Sequence, residues 1–144
     1  MMSNHCVYLG LGSNLGDREG NILRAVKKIH ELIGTVECQS ALFDTEPWGF
    51  ASENRFLNAV VRVNTTLSPR QLLEITKKIE KALGRRKKSQ TKNGRAVYHD
   101  RIIDIDILLY DNITVDEPDL KIPHPLMYER DFVMIPLQEV LDRE

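Results

Sequence analysis

Cysteine is scarce in this 144-residue chain: Cys6 and Cys38 are the only two. They stand in no metal-ligand spacing, which argues against a zinc site, and two cysteines do not make a disulfide scaffold. Excess charge is lacking too. Twenty Lys and Arg oppose 21 Asp and Glu, for a formal net charge of -1. This argues against a surface built for bulk nucleic-acid binding, and any polyanion site must be local. No apolar stretch approaches the roughly 18 residues of a membrane span. The first residues, Met1 to Leu11, lack the basic start and apolar run of a signal peptide. Repeats, low-complexity tracts and linkers are also missing. The expectation is a reduced, cytoplasmic, soluble protein folding as a single domain over residues 1–144.

What is present reads as alternating strands and helices. Cys6 to Leu11 is a short apolar run that fits a buried strand. From Arg18 to Ile33, apolar residues at Ile22, Ala25, Val26, Ile29, Leu32 and Ile33 line one face of a helix, with Asp17 placed to cap it and Gly34 to end it. Val36 to Phe43 reads as a second strand. Phe56 to Val63 reads as a third, with Leu57, Ala59, Val61 and Val63 on one face and Phe56, Asn58, Val60 and Arg62 on the other. Ser68, Pro69 and Gln71 form a helix start with a capping box, and that helix runs to Gly84. Ile103 to Tyr110 is a fourth strand, with a turn at Asp111-Asn112. A small hairpin around Val115 and Leu120–Ile122 and a short helix over Phe132–Leu141 complete the chain. The order strand, helix, strand, strand, helix, strand predicts an α+β ferredoxin-like βαββαβ fold. Its antiparallel sheet carries helices on one face, and the other is left to hold a ligand.

The sharpest chemical signal is Asp104-Ile105-Asp106. Alternate strand residues share a face, so both carboxylates project together, roughly 7 Å apart. Ile103, Ile105, Ile107 and Leu109 are expected on the buried face. Like charges side by side disfavour the strand unless a cation relieves them, and oxygen ligands suit Mg2+. A solvated strand face is the competing reading. Arg85, Arg86, Lys87, Lys88, Lys92, Arg95 and Arg101 crowd the segment just before the pair. Phosphoryl chemistry needs this combination, because cations neutralise charge that develops on the transferring group. Solvated surface and nucleic-acid binding are the alternatives for the loop. Gly10-Leu11-Gly12-Ser13-Asn14-Leu15-Gly16 has neither the dinucleotide fingerprint nor a P-loop spacing, and reads as a tight glycine turn. Phe56 and Asn58, on one face, suit stacking on a flat heterocycle and reading its edge, with Phe132 as a second wall. His124 lies between Pro123 and Pro125 and carries no signal by itself.

Taken in order, these segments are recognisable. Gly12-Ser13-Asn14, Phe56-Leu57-Asn58-Ala59, Gly84-Arg85, Arg101-x-x-Asp104-x-Asp106 and Ile122-Pro123-His124-Pro125 through Arg130-x-Phe132 together resemble the 6-hydroxymethyl-7,8-dihydropterin pyrophosphokinases of folate biosynthesis. The resemblance covers about Val7 to Leu141. It implies transfer of pyrophosphate from ATP to the pterin alcohol, with AMP released. It implies two Mg2+ ions held by Asp104 and Asp106, and a pterin site of Thr45, Trp48, Gly49, Phe56, Asn58 and Phe132. ATP contacts are implied for Arg85, Lys87, Arg101, His124 and Arg130, with catalytic roles for Arg101, Arg85, Asp104 and Asp106. Small-molecule substrates and a monomer are expected, with no nucleic-acid or membrane partner. A ferredoxin-like RNA-binding module or a small-molecule regulatory domain are the rival classes. The first would use the basic loop, but its paired aspartates would repel a phosphate backbone unless a metal intervened. The second leaves Asp104, Asp106 and the arginines without a task, and dependence on Mg2+ separates the enzyme from both.

Overall fold

A computed structural model of the chain describes residues 3–46, 55–84, 90–92, 95–97 and 102–143. The elements in chain order are β1 (His5–Ser13), α1 (Arg18–Leu32), β2 (Gly34–Gln39), β3 (Phe43–Thr45), β4 (Phe56–Thr65), α2 (Pro69–Ala82), β5 (Gln90–Lys92), β6 (Arg95–Val97), β7 (Asp104–Tyr110), β8 (Val115–Glu117), β9 (Leu120–Ile122) and α3 (Asp131–Asp142). The main sheet is antiparallel in the order β2-β4-β1-β7, with β3 also paired to β4. This is the predicted ferredoxin-like arrangement. Pairs β5–β6 and β8–β9 form separate hairpins. Among the described residues no helix is long and apolar enough to cross a membrane.

Both long helices start and stop for local reasons. The Asp17 carboxylate accepts the Gly20 N–H at 3.1 Å and caps α1. Ahead of α2 the capping box is complete: the Gln71 N–H donates to Ser68 Oγ at 3.2 Å, and the Ser68 N–H to Gln71 Oε1 at 2.9 Å. Gly84 follows α2 at a φ of 110°, the left-handed region that ends helices. Gly34 works differently from expectation. It opens β2, where a Cβ would lie 2.0 Å from the Asn64 carbonyl oxygen, so close strand approach demands the glycine.

The first apolar face packs Val7, Leu9 and Leu11 of β1, Leu57, Ala59, Val61 and Val63 of β4, and Ile103, Ile105 and Ile107 against Ile22, Ala25 and Ile29 of α1 and Leu72 and Ile79 of α2. The opposite face is half covered. Helix α3 brings Val133, Leu137 and Val140 onto Tyr8, Val60 and Leu108, so only the remainder of that face is free. Cys6 and Cys38 border this second cluster, and neither is in a disulfide.

Two strand expectations need correction. The second strand divides at Ser40, whose backbone N–H donates to the Val60 carbonyl while its hydroxyl accepts the Val60 N–H at 2.9 Å. The side chain replaces a ladder bond, and β2 and β3 pair with β4 on either side of that point. Along β7, Tyr8 pairs with Leu109 but Leu9 with Ile107, which leaves Leu108 as an inserted residue. This bulge reverses the alternation. Leu109 therefore packs with the α3 cluster, and Tyr110 takes the core position.

Candidate active site

The uncovered half of the sheet face is a cleft of about 550 Å3. Its floor is β1, where Gly10 pairs with Asp106 and also with Val60, and Gly12 with Asp104 and Asn58. These glycines lie inside the strand rather than in a turn, which corrects the sequence reading; only Gly16, at φ 67°, takes the left-handed conformation there. Their missing side chains leave the cleft open. A Cβ at Gly12 would come 3.3 Å from Asn58 Oδ1 and 3.6 Å from Phe56 Cδ1.

One wall is β3 with the start of β4. Asn58 is buried, and its Nδ2 donates to the Phe43 carbonyl at 3.1 Å and to Thr45 Oγ1 at 3.0 Å. A carbonyl only accepts, so the amide nitrogen must face Phe43 and the oxygen must face Gly12 and the cleft. Phe56 stands beside it, and Phe132 enters from the first turn of α3. The Arg130 guanidinium lies 5.7 Å from the Phe132 ring centroid, within cation–π range.

The other wall is β7. Asp104 and Asp106 are half-buried on the cleft side while Ile103, Ile105 and Ile107 are buried on the other. Behind them, Glu80 of α2 is 4% exposed and accepts the Ile105 N–H at 2.8 Å. This bond satisfies the outer edge of β7 between the two aspartates. His124 follows a cis Ile122–Pro123 bond, and its N–H donates to the Leu108 carbonyl at 3.1 Å. That anchor sets its Nε2 at 3.9 Å from Asp106 Oδ1.

Among the described residues no group of three or more His, Cys, Asp or Glu is arranged to hold a metal by itself. Two carboxylates opening into a cleft nonetheless fit Mg2+, which keeps waters and takes substrate oxygens beside one or two carboxylates. The structure thus gathers Thr45, Phe56, Asn58, Asp104, Asp106, His124, Arg130 and Phe132 around one cavity. Trp48, Gly49, Arg85, Lys87 and Arg101 lie outside the described residues.

The profile of the 7,8-dihydro-6-hydroxymethylpterin-pyrophosphokinase (HPPK) family matches residues 8–142. The chain belongs to this family. A 2-amino-4-hydroxy-6-hydroxymethyldihydropteridine pyrophosphokinase of Porphyromonas gingivalis is 50% identical over 135 residues, 93% of this chain and 89% of that protein. One from Aquifex aeolicus is 42% identical over 134 residues, covering 93% and 79%. Among solved structures, an HPPK-DHPS protein in complex with substrates superposes with a TM-score of 0.73 at 14% identity, so it supports the fold alone. The match covers 96% of this chain and 40% of that longer one.

Several lining residues carried no sequence signal. Leu73 of α2 and Pro118, Leu120 and Lys121 of the β8–β9 hairpin extend the cleft around the edge of β7. Leu73 and Leu120 look like core positions by spacing, and the hairpin's approach to β7 is tertiary. Glu80 reads as one more charge on a polar helix, since its partner is a backbone N–H 25 residues away.

Proposed function

We propose that the cleft holds a pterin between Phe56 and Phe132 and the ATP phosphates at Asp104 and Asp106, and so carries out this family's reaction. The chain transfers a pyrophosphoryl group from ATP to 6-hydroxymethyl-7,8-dihydropterin in folate biosynthesis. The observation that carries the site assignment is the pairing of a fixed hydrogen-bonding edge at Asn58 with two carboxylates across one glycine-floored cavity.

With its nitrogen committed to β3, Asn58 offers only Oδ1, an acceptor for the amino group of the ring. Thr45 Oγ1 already accepts from Asn58, so its hydrogen is available to donate beside that acceptor. Acceptor and donor side by side match the pyrimidine edge of a pterin, and the family resemblance assigns Trp48 and Gly49 to the same ligand. The two rings clamp its faces, with the Arg130 guanidinium 5.7 Å from the centre of the Phe132 ring. The apolar end at Leu73, Pro118 and Leu120 suits adenine.

The hydroxymethyl oxygen attacks the β-phosphorus in line. An O–P bond forms to the pterin, the bond from the β-phosphorus to the oxygen bridging to the α-phosphate breaks, AMP departs and the alcohol proton is lost. Asp104 and Asp106 hold the Mg2+ that accompanies the triphosphate, two ions in our reading. Bound Mg2+ supplies charge neutralisation on phosphate oxygens and lowers the pKa of an alcohol beside it. His124, beside Asp106 on the β7 wall, and Arg130 take the phosphates in this reading, and the family resemblance gives the same task to Arg85, Lys87 and Arg101. Arg101 is assigned the largest transition-state role, worth on the order of 10³-fold in rate. Catalysis is then mainly positioning and charge stabilisation, with no strong general base. The protein acts as a cytoplasmic, monomeric, single pyrophosphokinase domain on small-molecule substrates.

The test is AMP release from ATP and Mg2+ with and without 6-hydroxymethyl-7,8-dihydropterin. Pterin-dependent AMP, lost when Mg2+ is chelated, is the expected result. Well-folded protein giving no pterin-dependent AMP would overturn the reading.

A further inference from the structure

Outside the cleft, two guanidinium groups, one from the start of α1 and one from the residue preceding β4, meet on the Asp44 carboxylate of β3. Arg18, the first residue of α1, donates through Nη2 to Asp44 Oδ2 at 3.2 Å and through Nη1 to the Arg55 carbonyl at 2.9 Å. Arg55, just ahead of β4, donates through Nε to Asp44 Oδ1 at 2.7 Å, and its Nη2 lies 3.4 Å from the Asp44 carbonyl. The hydrogen bond from Arg55 is the largest influence holding the Asp44 carboxyl below its ordinary range; burial opposes it, and the hydrogen bond and charge of Arg18 add to the lowering. All three side chains are substantially exposed, at 32%, 43% and 51% for Arg18, Asp44 and Arg55.

Exposed ion pairs contribute little to global stability, so a surface knot of this kind needs another account. Its position supplies one. Asp44 is the middle residue of β3, a three-residue edge strand attached to the sheet through β4. Its two neighbours, Phe43 and Thr45, are the residues whose oxygens hold the Asn58 amide nitrogen. Strand alternation puts Asp44 on the outer face and Phe43 and Thr45 toward Asn58. A strand this short has few ladder bonds to fix its place, whereas the knot ties its centre to the start of α1 and to the residue preceding Phe56.

We propose that the Arg18–Asp44–Arg55 knot is a positioning device for ring recognition: by fixing β3 it orients the Asn58 amide and makes the cleft selective for a ligand edge that donates hydrogen bonds. This rests on the pyrophosphokinase reading of the cleft. The three residues touch no substrate and act through Phe43, Thr45 and Asn58. Without the knot β3 can shift, the amide can turn, and its NH2 then competes for the place of the acceptor. The loss falls on the pterin and not on ATP, and falls most on the group that Asn58 Oδ1 accepts.

The experiment compares wild type with Asp44→Ala, Asp44→Glu and Arg55→Gln. It reads kcat, KM for each substrate, and inhibition by an otherwise identical pteridine lacking the 2-amino group. Loss of one oriented hydrogen bond corresponds to about tenfold. Asp44→Ala is therefore expected to raise the pterin KM about tenfold, with kcat and the ATP KM within about twofold of wild type. Preference for the pterin over the deamino analogue falls by a similar factor, and Asp44→Glu recovers part of it. In the Asn58→Ala background Asp44→Ala adds nothing, because the two act in one chain. Wild-type pterin KM and preference in folded Asp44→Ala would overturn the proposal, as would equal weakening toward pterin and analogue. Should Asp44→Ala fail to fold, Arg55→Gln decides: a pterin-specific rise of about threefold supports the knot and no rise refutes it. Wild type making no pterin-dependent AMP would sink the reading of the cleft and this proposal with it. An active wild type with unaltered variants would sink this proposal alone.

Discussion

The two faces of the central sheet are made by the same strands and obey different rules. On the helix-covered face, Val7, Leu9 and Leu11, then Leu57, Ala59, Val61 and Val63, then Ile103, Ile105 and Ile107 are apolar at every alternate position and buried. On the other face the alternating set begins as apolar under α3, with Tyr8, Val60 and Leu108, and then changes character within a few residues to Gly10, Gly12, Asn58, Asp104 and Asp106. Packing chooses the residues of the first face. On the second it chooses only those α3 covers. The remainder are too small to fill space, or carry an amide or a charge that strand pairing disfavours. What distinguishes a site from a core here is the point along each strand at which the packing requirement stops.

That contrast breaks most sharply at Asp104 and Asp106. Changing either to Asn is expected to lower kcat by about 10³-fold in the AMP-release assay, since charge stabilisation is the largest catalytic contribution, while the melting temperature holds or rises. Leu9→Ala is its mirror image. A fully buried Leu truncated in a packed core costs about 3 kcal/mol. Chemical denaturation should show that loss with kcat of the folded fraction intact. Gly12→Ala tests the floor of the cleft: its Cβ would press on Asn58 Oδ1 and Phe56. The pterin KM should rise about tenfold for one oriented hydrogen bond disturbed, with little change in melting.

How much of this was readable in the sequence follows the same division. The core face announced itself by alternation, and both helices by Asp17 and by the Ser68–Gln71 box, because those signals are local. The aspartate pair was legible because two acids on one face of an otherwise apolar strand have no packing explanation. The bulge at Leu108, the break at Ser40 and the placement of α3 were not legible, since each depends on a partner distant in sequence. Gly10 and Gly12 misled for the same reason: a glycine in a strand, kept small by what stands over it, looks in sequence like a glycine in a turn. Glu80 and the Arg18–Asp44–Arg55 knot looked like ordinary surface charge until their partners were in place.

Smaller effects sharpen the comparison at the periphery. Ser68→Ala removes the α2 cap and should cost about 1 kcal/mol, read as a fall of about 3 °C in melting temperature with activity unchanged. The weakest concerns Arg70, which bridges α2 to Asp119 and Glu117 of the β8–β9 hairpin. Its hydrogen bonds push the Asp119 carboxyl down to about 2 from an ordinary 3.8. A depressed folded-state pKa means the contribution is complete above about pH 4 and lost as pH falls toward 2. Melting curves over that window should fall slightly more steeply for wild type than for Arg70→Gln, the bridge being exposed.

The measurement that bears most directly on the open end of the sheet is the melting temperature with Mg2+ and a non-hydrolysable ATP analogue, for wild type and for Asp104→Asn, Asp106→Asn. Wild type should gain several degrees through linked binding, and the variant, equally or more stable by itself, should gain none. Equal gains in both proteins, or a variant that melts well below wild type without ligand, would mean that these carboxylates serve the fold rather than the nucleotide.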